Sequence, residues 1–230
     1  MKTSPESIAL ALYSAQLKMG ALIKQASTET ERQRIYRFRY NIYIEEMGKP
    51  MPDADHERRM LHDEYDPRSI HLYAERDGEI AGALRLIWGR DGLPPVFVDW
   101  YGLEMFREFS PTEISFTGRL MAAKQYRSSL LGVSLAQEIY RIARESGLAF
   151  DFIHTTQPLV GYFERLGYRR YKSDFLDPDL GPRTPMILVL QDIAHLETCQ
   201  SPFLRTAHQL TNSPESADWF KERFSEKSLC

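Results

Sequence analysis

The chain has 230 residues, 43% hydrophobic and 27% charged, with a formal net charge of −3, which suits one sizeable core and an ordinary globular composition. Lysines and arginines are spread along it, so no basic field exists to hold a nucleic acid, and an anionic ligand needs a local site. Only two cysteines occur, Cys199 and Cys230, in no pairing or metal-spaced group, which argues against a disulfide framework or structural zinc and suits the cytoplasm.

In the opening "MKTSPESIALALYSAQLKMGALIKQ", Glu6, Gln16 and Lys18 interrupt the apolar residues, so there is no signal-peptide run, and no later segment reaches membrane-spanning length. Ile8, Ala11, Leu12, Ala15, Met19 and Leu22 recur at helical spacing, predicting an amphipathic helix near 5–19 that feeds a short strand in "ALIKQAS". Thr28 and Glu31 match a capping box, and a helix is expected to run on to about Glu46. Residues 47–69, rich in proline and aspartate, read as a long loop expected to close over a ligand. "IHLYAERDGEIAGALRLIWG" is a hairpin around Asp77-Gly78, a pair that tolerates the positive dihedrals of a tight turn. In "TEISFTGRLMAAK" alternation places Ile114, Phe116 and Leu120 on one face, and Glu113, Ser115, Thr117 and Arg119 on the other. "AFDFIHT", "RRYK" and "TPMILVLQ" are expected strands, with helices over 129–146 and 158–166. Strands alternating with helices after an early hairpin imply an α/β fold with a sheet of mixed direction. Past Gln191 two further helices are expected, the second capped by Ser213 with Pro214 at its first position. Residues 1–192 thus form the main domain and 193–230 a helical extension.

"YRSSLLG", residues 126–132, draws the chemistry together. A helix beginning near Ser129 leaves amide N–H groups unpaired at the positive end of its dipole. Arg127 adds a full charge, Ser128 and Ser129 add hydroxyls, and Gly132 leaves room for close approach. A phosphate or pyrophosphate fits this set, and so does an ordinary capped helix with a surface arginine.

The succession "LMAAKQYRSSLLG", "AFDFIHT", "PLVGYFERLGYRRY" resembles the GNAT acyltransferase superfamily. That resemblance implies a mixed, mostly antiparallel central sheet flanked by helices, with extra helices at both ends of this chain. The superfamily's donor motif runs from a strand through arginine or glutamine, two residues, glycine, one residue, then glycine or alanine. Here it falls on Arg127, Ser128, Ser129, Leu130, Leu131 and Gly132, with Leu130 in place of the first glycine. A strand amide near Met121 and Ala122 would polarise the thioester carbonyl. The tyrosine that protonates the leaving thiolate falls at Phe163, and Tyr162 stands one position earlier. Within the superfamily, "IYRFRYNIYIEEMG", "HDEYDPRSIHLYAERDGEIAGALRLI", "DWYGLEMF" and "TEIS" look like the acyl-homoserine-lactone synthases and the long-chain N-acyl amino acid synthases. Their arginine, paired aspartates, hairpin arginine and strand glutamate correspond to Arg37, Asp63, Asp66, Arg85 and Glu113. Phe116 stands where those enzymes place an arginine after the glutamate.

The expected activity is N-acyl transfer from acyl-CoA or acyl-phosphopantetheine, consumed as a co-substrate and not held as a permanent cofactor, to the amine of a small amino-acid-like acceptor. Glu113 is the expected base, His154 a second one, and Tyr162 an acid. Asp63 and Asp66 would hold the acceptor's ammonium and Arg37 or Arg85 its carboxylate. Trp100, Tyr101 and Phe106 would line an acyl channel, or simply core. Neither cysteine lies near the motifs, so direct attack by the amine is favoured over an acyl-enzyme. Lys124 and Arg127 offer a surface for an acyl carrier protein. A lactone-forming synthase and a non-catalytic thioester sensor are the competing readings.

Overall fold

The computed structural model describes residues 23–127, 129–210 and 213–224; the expected N-terminal helix and Ser128 lie outside the described residues. Strand β1 (Ile23–Gln25) precedes helix α1 (Glu29–Tyr40), and Thr28 caps that helix through the expected box with Glu31. The helix does not simply continue to Glu46. From Asn41 to Glu46 it widens into a π-helix, a local irregularity common at functional sites.

Residues 47–69 are not one open loop. They hold a small hairpin, β2 (Ala54–Asp55) and β3 (Met60–Leu61); Met60 is buried, and Leu61 is buried with Met51 against Tyr40. Burying those side chains offsets the entropy of ordering the segment, which proline and aspartate content alone does not reveal. The main hairpin follows as β4 (Ile70–Arg76) and β5 (Glu79–Trp88). Asp77 and Gly78 both have positive φ, 51° and 81°, as a two-residue hairpin turn requires.

Next come α2 (Val96–Tyr101), β6 (Ile114–Ala122), α3 (Leu131–Glu145), β7 (Phe150–Thr155), α4 (Val160–Leu166), β8 (Arg169–Arg170), β9 (Phe175–Asp177) and β10 (Gly181–Val189). The sheet order is β1-β4-β5-β6-β7-β10-β8, with β9 pairing β10. Among the described residues only β6 and β7 run parallel; the other pairings of this sheet are antiparallel. This is the mixed, mostly antiparallel sheet expected.

Helix α3 buries Leu131, Leu135, Ile139 and Tyr140 on one face of the sheet, against Leu84, Leu86, Ile153 and Leu188. The other face carries an aromatic cluster of Tyr101, Phe106, Phe116, Phe150 and Phe152. Three helices, α5 (Ile193–Thr198), α6 (Leu204–Gln209) and α7 (Glu215–Arg223), are the last elements among the described residues. No helix among the described residues is long and apolar enough to cross a membrane.

Alternation along β6 holds from Ile114 to Gly118 and then breaks. Gly118 pairs with Arg85 and Met121 with Ala83, so Arg119 and Leu120 together oppose Leu84. This is a β-bulge, and Arg119 has φ of 56°. The extra residue moves Leu120 from the face of Ile114 and Phe116 to the α3 face. Arg119 in turn reaches Asp63 on the opposite face, which corrects the simple alternation expected from sequence.

Candidate active site

On the face away from α3, charged and polar side chains from five elements converge. Arg39 comes from α1, Asp63 and Asp66 from the segment after β3, His71 and Arg85 from β4 and β5, and Arg119 from the bulge. Arg39 is 1% exposed and Asp66 0%, and Arg39 Nη1 donates to Asp66 Oδ1 at 2.6 Å. Arg85 Nη1 reaches both oxygens of Asp63 at 2.7 Å and Asp66 Oδ1 at 3.0 Å. Arg119 Nη2 lies 3.4 Å from Asp63 Oδ2, and its guanidinium stands over the Tyr43 ring of the π-helix. Burial pushes the Asp66 carboxyl up, but Arg39 and Arg85 outweigh it and hold the group below the ordinary carboxylate range. Asp63 is lowered on the same balance, with Arg85 the main opponent of burial.

His71 fixes its own tautomer. Arg39 Nη2 can only donate, so Nδ1 accepts at 3.0 Å and Nε2–H donates to the Asp66 carbonyl at 2.8 Å. Burial, reinforced by Arg39, pushes this imidazole down to about 4 and keeps it neutral. Three guanidinium groups therefore face two carboxylates, and Arg119 Nη1 is buried with no hydrogen-bond partner. One positive charge is left over for a ligand.

Beside this cluster the sheet opens. The parallel ladder of β6 and β7 ends at Phe116 and Phe152. Beyond it β7 stays with β10 as far as Thr155 and β6 stays with β5 as far as Ala122, which leaves a V-shaped gap. The Ala123 amide donates to Ala81 O at 2.8 Å and the Met121 carbonyl lies against Gly82, so the Met121 backbone faces β5. By the two-residue period the Ala122 backbone faces the gap, where its carbonyl accepts from Arg127 Nε at 3.1 Å. Of the two expected strand donors, then, Ala122 is aimed at the gap and Met121 is turned away.

His154 lies on β7 past the last rung. Its Nδ1 is 2.7 Å from the Tyr101 hydroxyl, and Trp100 and Phe175 stand edge-on to its ring at 5.7 and 5.6 Å. Burial pushes it down to about 4, against a smaller opposing pull from Asp177.

The helix of the expected donor site begins later than expected. Helix α3 starts at Leu131, and Leu130 caps it without a side-chain bond. Ser129 Oγ accepts from the Leu131 amide at 3.2 Å. A Cβ at Gly132 would meet the Tyr162 hydroxyl at 3.0 Å, so glycine there is what lets that hydroxyl sit over the first turn. Leu131 is core, and Leu130 is exposed. Arg127 is engaged by both oxygens of Glu46, at the end of the π-helix.

Several expected roles move. The Glu113 carboxylate accepts from the Ser110 amide at 2.9 Å in a capping box, at the end of β6 opposite the gap. Arg37 is exposed and borders a shallow groove with Arg34 and Asn41; Arg39, two residues on and about 200° around the helix, is the arginine that faces the cluster. Asp66 is sealed between arginines and has no room for an ammonium. Phe106 sits in the aromatic core. Sequence reasoning passed over Arg39, His71 and Arg119; the apolar face of α1, Ile35, Tyr36 and Tyr40, gave the signal for the first.

A family model for the acetyltransferase (GNAT) domain matches residues 38–137. Residues 38–137 are thus similar to a GNAT domain, and the sheet around them has a GNAT-like fold. A relative from Bacillus subtilis (strain 168), provisionally named an acetyltransferase, is 24% identical over 155 residues, covering 67% of this chain and 87% of its own. Among solved structures, the GNAT fold here is similar to the CoA-dependent acyl-homoserine lactone synthase BjaI bound to SAM and isopentyl-CoA. That match has a TM-score of 0.61 and 15% identity, covering 79% of this chain and 90% of the other. FeeM, an N-acyl amino acid synthase from uncultured soil microbes, gives 0.60 and 14%, covering 80% and 96%. At these identities the likeness shows the fold, and it falls on the two enzyme groups that the first half of the sequence resembles.

Proposed function

We propose that this GNAT protein transfers an acyl group from a phosphopantetheine thioester, acyl-CoA or acyl carrier protein, to the amine of a small acceptor that carries a carboxylate. The observation that carries this reading is the position of the β6/β7 gap, between the N-terminus of α3, where the capping Leu130 makes no side-chain bond, and a buried cluster with one positive charge to spare. Amides of the first turn of α3 bind the donor's pyrophosphate. Arg119, with its free Nη1, takes the acceptor's carboxylate. The acceptor nitrogen attacks the thioester carbonyl, the new C–N bond forms as C–S breaks, and the Ala122 amide stabilises the oxyanion. Neutral His154 accepts the amine's proton, and the Tyr162 hydroxyl beside Gly132 supplies one to the leaving thiolate. Phe163 packs its ring against Tyr162 and Tyr168 and has no proton to give.

The test is thiol release from acyl-CoA and acyl carrier protein donors with free amino acids as acceptors. Release is expected to depend on the acceptor's carboxylate; Arg119→Gln raises the acceptor KM, and His154→Gln lowers kcat by on the order of 10²-fold. CoA binding with no release from any donor would show a thioester sensor instead. Mass analysis of the product separates an N-acyl amino acid from a lactone.

A further inference from the structure

Asp151, on the α3 face of β7, takes no part in the steps above, yet it occupies the vertex of the gap. It is 2% exposed and sits opposite Ser115 in the register, one rung before the ladder ends. Its carboxylate gathers donors from both sides of the vertex. Ser115 Oγ donates to Oδ1 at 2.6 Å and Thr117 Oγ1 at 3.0 Å, both from β6. The Tyr168 hydroxyl, just past α4, donates to Oδ2 at 2.6 Å. The Thr117 amide adds a further donor. Thr117 is the last β6 residue tied to β7 before the strands part. A carboxylate that accepts several bonds at once is a stronger clamp than a neutral group, which has fewer lone pairs to offer.

We propose that Asp151 is a positioning residue for acyl transfer: its ionised carboxylate clamps Thr117 at the vertex and so fixes how far β6 diverges from β7. This rests on the reading that the donor's thioester lies in the gap, since the clamp would set the place of the Ala122 amide relative to the thioester carbonyl. Burial pushes the acid up to about 6, and its hydroxyl partners only partly oppose this. The titratable groups that face it are tyrosines: Tyr168, Tyr101 of α2 across the sheet, and Tyr140 of α3 beside the cavity they share. The clamp therefore weakens as pH falls through about 6.

The experiment compares binding of octanoyl-CoA and of CoA, which lacks the thioester carbonyl, to the full chain by calorimetry from pH 5 to 7.5, with circular dichroism of the same samples. The wild type is expected to lose its preference for octanoyl-CoA over CoA by on the order of tenfold toward pH 5 while still folded. Asp151→Asn is expected to show the reduced preference at every pH. Thr117→Val, which keeps the acid and the volume, covers the case that the asparagine variant does not fold, and is expected to lose preference at pH 7.5. Variants that keep the wild-type preference and pH-dependence overturn the inference and leave the donor site standing. Failure of the folded wild type to bind either ligand overturns the donor site, and this inference with it.

Discussion

At Asp66 two effects oppose each other. Burial penalises the charge and two guanidinium groups offset it, so removing Arg39 leaves a buried acid that cannot be solvated and has only Arg85, which it shares with Asp63, to pair it. Arg39→Met is therefore expected to destabilise the fold by about 3–5 kcal/mol, read from urea unfolding at pH 7. His71 depends on the same arginine. Its folded pKa, about 4, lies below the ordinary 6.5, so the folded state binds fewer protons between those values. The stability it contributes is fully present above pH 6.5 and is lost as pH falls toward 4. Asp151 has the opposite sign: raised to about 6 from 3.8, it favours the fold at low pH and loses that contribution as pH rises from about 4 to 6. His71→Gln keeps an acceptor for Arg39 and a donor for the Asp66 carbonyl. It is expected to flatten the acid-side loss by on the order of 3 kcal/mol, and an unchanged pH profile of unfolding would remove His71 from this account. Glu113→Gln should leave turnover unchanged, because the carboxylate serves only its cap.

Two irregular elements decide the site. The bulge at Arg119 turns a residue that alternation assigns to the α3 face toward Asp63. The π-helix at Asn41–Glu46 brings Tyr43 under Arg119 and Glu46 against Arg127, so it touches the buried cluster and the approach to α3 together. If the donor's pyrophosphate and Glu46 compete for Arg127, Glu46→Gln is expected to tighten CoA binding by a few-fold, more at low salt than at high. Calorimetry showing equal or weaker binding would mean that the pair only anchors the π-helix. Gly132→Ala is expected to weaken CoA binding with little loss of stability, since the new methyl meets a hydroxyl at the end of a side chain and would sit at the proposed donor site.

Across the whole molecule, the C-terminal helices complete both faces of the sheet. Phe203, 1% exposed, stacks on Tyr140 of α3 at 4.6 Å. On the other face Trp219 of α7 packs edge-on against Phe109 at 4.9 Å, and Phe220 is buried. Phe203→Ala is expected to destabilise by about 3–5 kcal/mol. A chain ending at residue 192 is expected to lose cooperative unfolding, because it uncovers apolar surface over α3 and over Phe106 together. A sharp thermal transition for that truncation would show the extension to be dispensable.

The sequence by itself determined what is local. Thr28 and Glu31 start α1, Asp77-Gly78 turns the hairpin, the periodic apolar residues after Gly132 make α3, and the order of strands and helices gives the sheet its class. Each depends on neighbours within a few residues, where propensity and hydrogen bonding act directly. The α3 terminus was legible from its own residues, whereas Arg85 and Asp63 were legible only through the resemblance to the acyl-homoserine-lactone and N-acyl amino acid synthases. Only the tertiary structure decided the rest. Whether Arg37 or Arg39 enters the cluster depends on which side of α1 meets the sheet. Whether Glu113 can act depends on Ser110 taking its carboxylate, and the face that Arg119 joins depends on one extra residue in β6. Asp151 in "AFDFIHT" reads as a polar interruption of a strand, and becomes the vertex of the gap only because Ser115, Thr117 and Tyr168, far along the chain, are folded onto it.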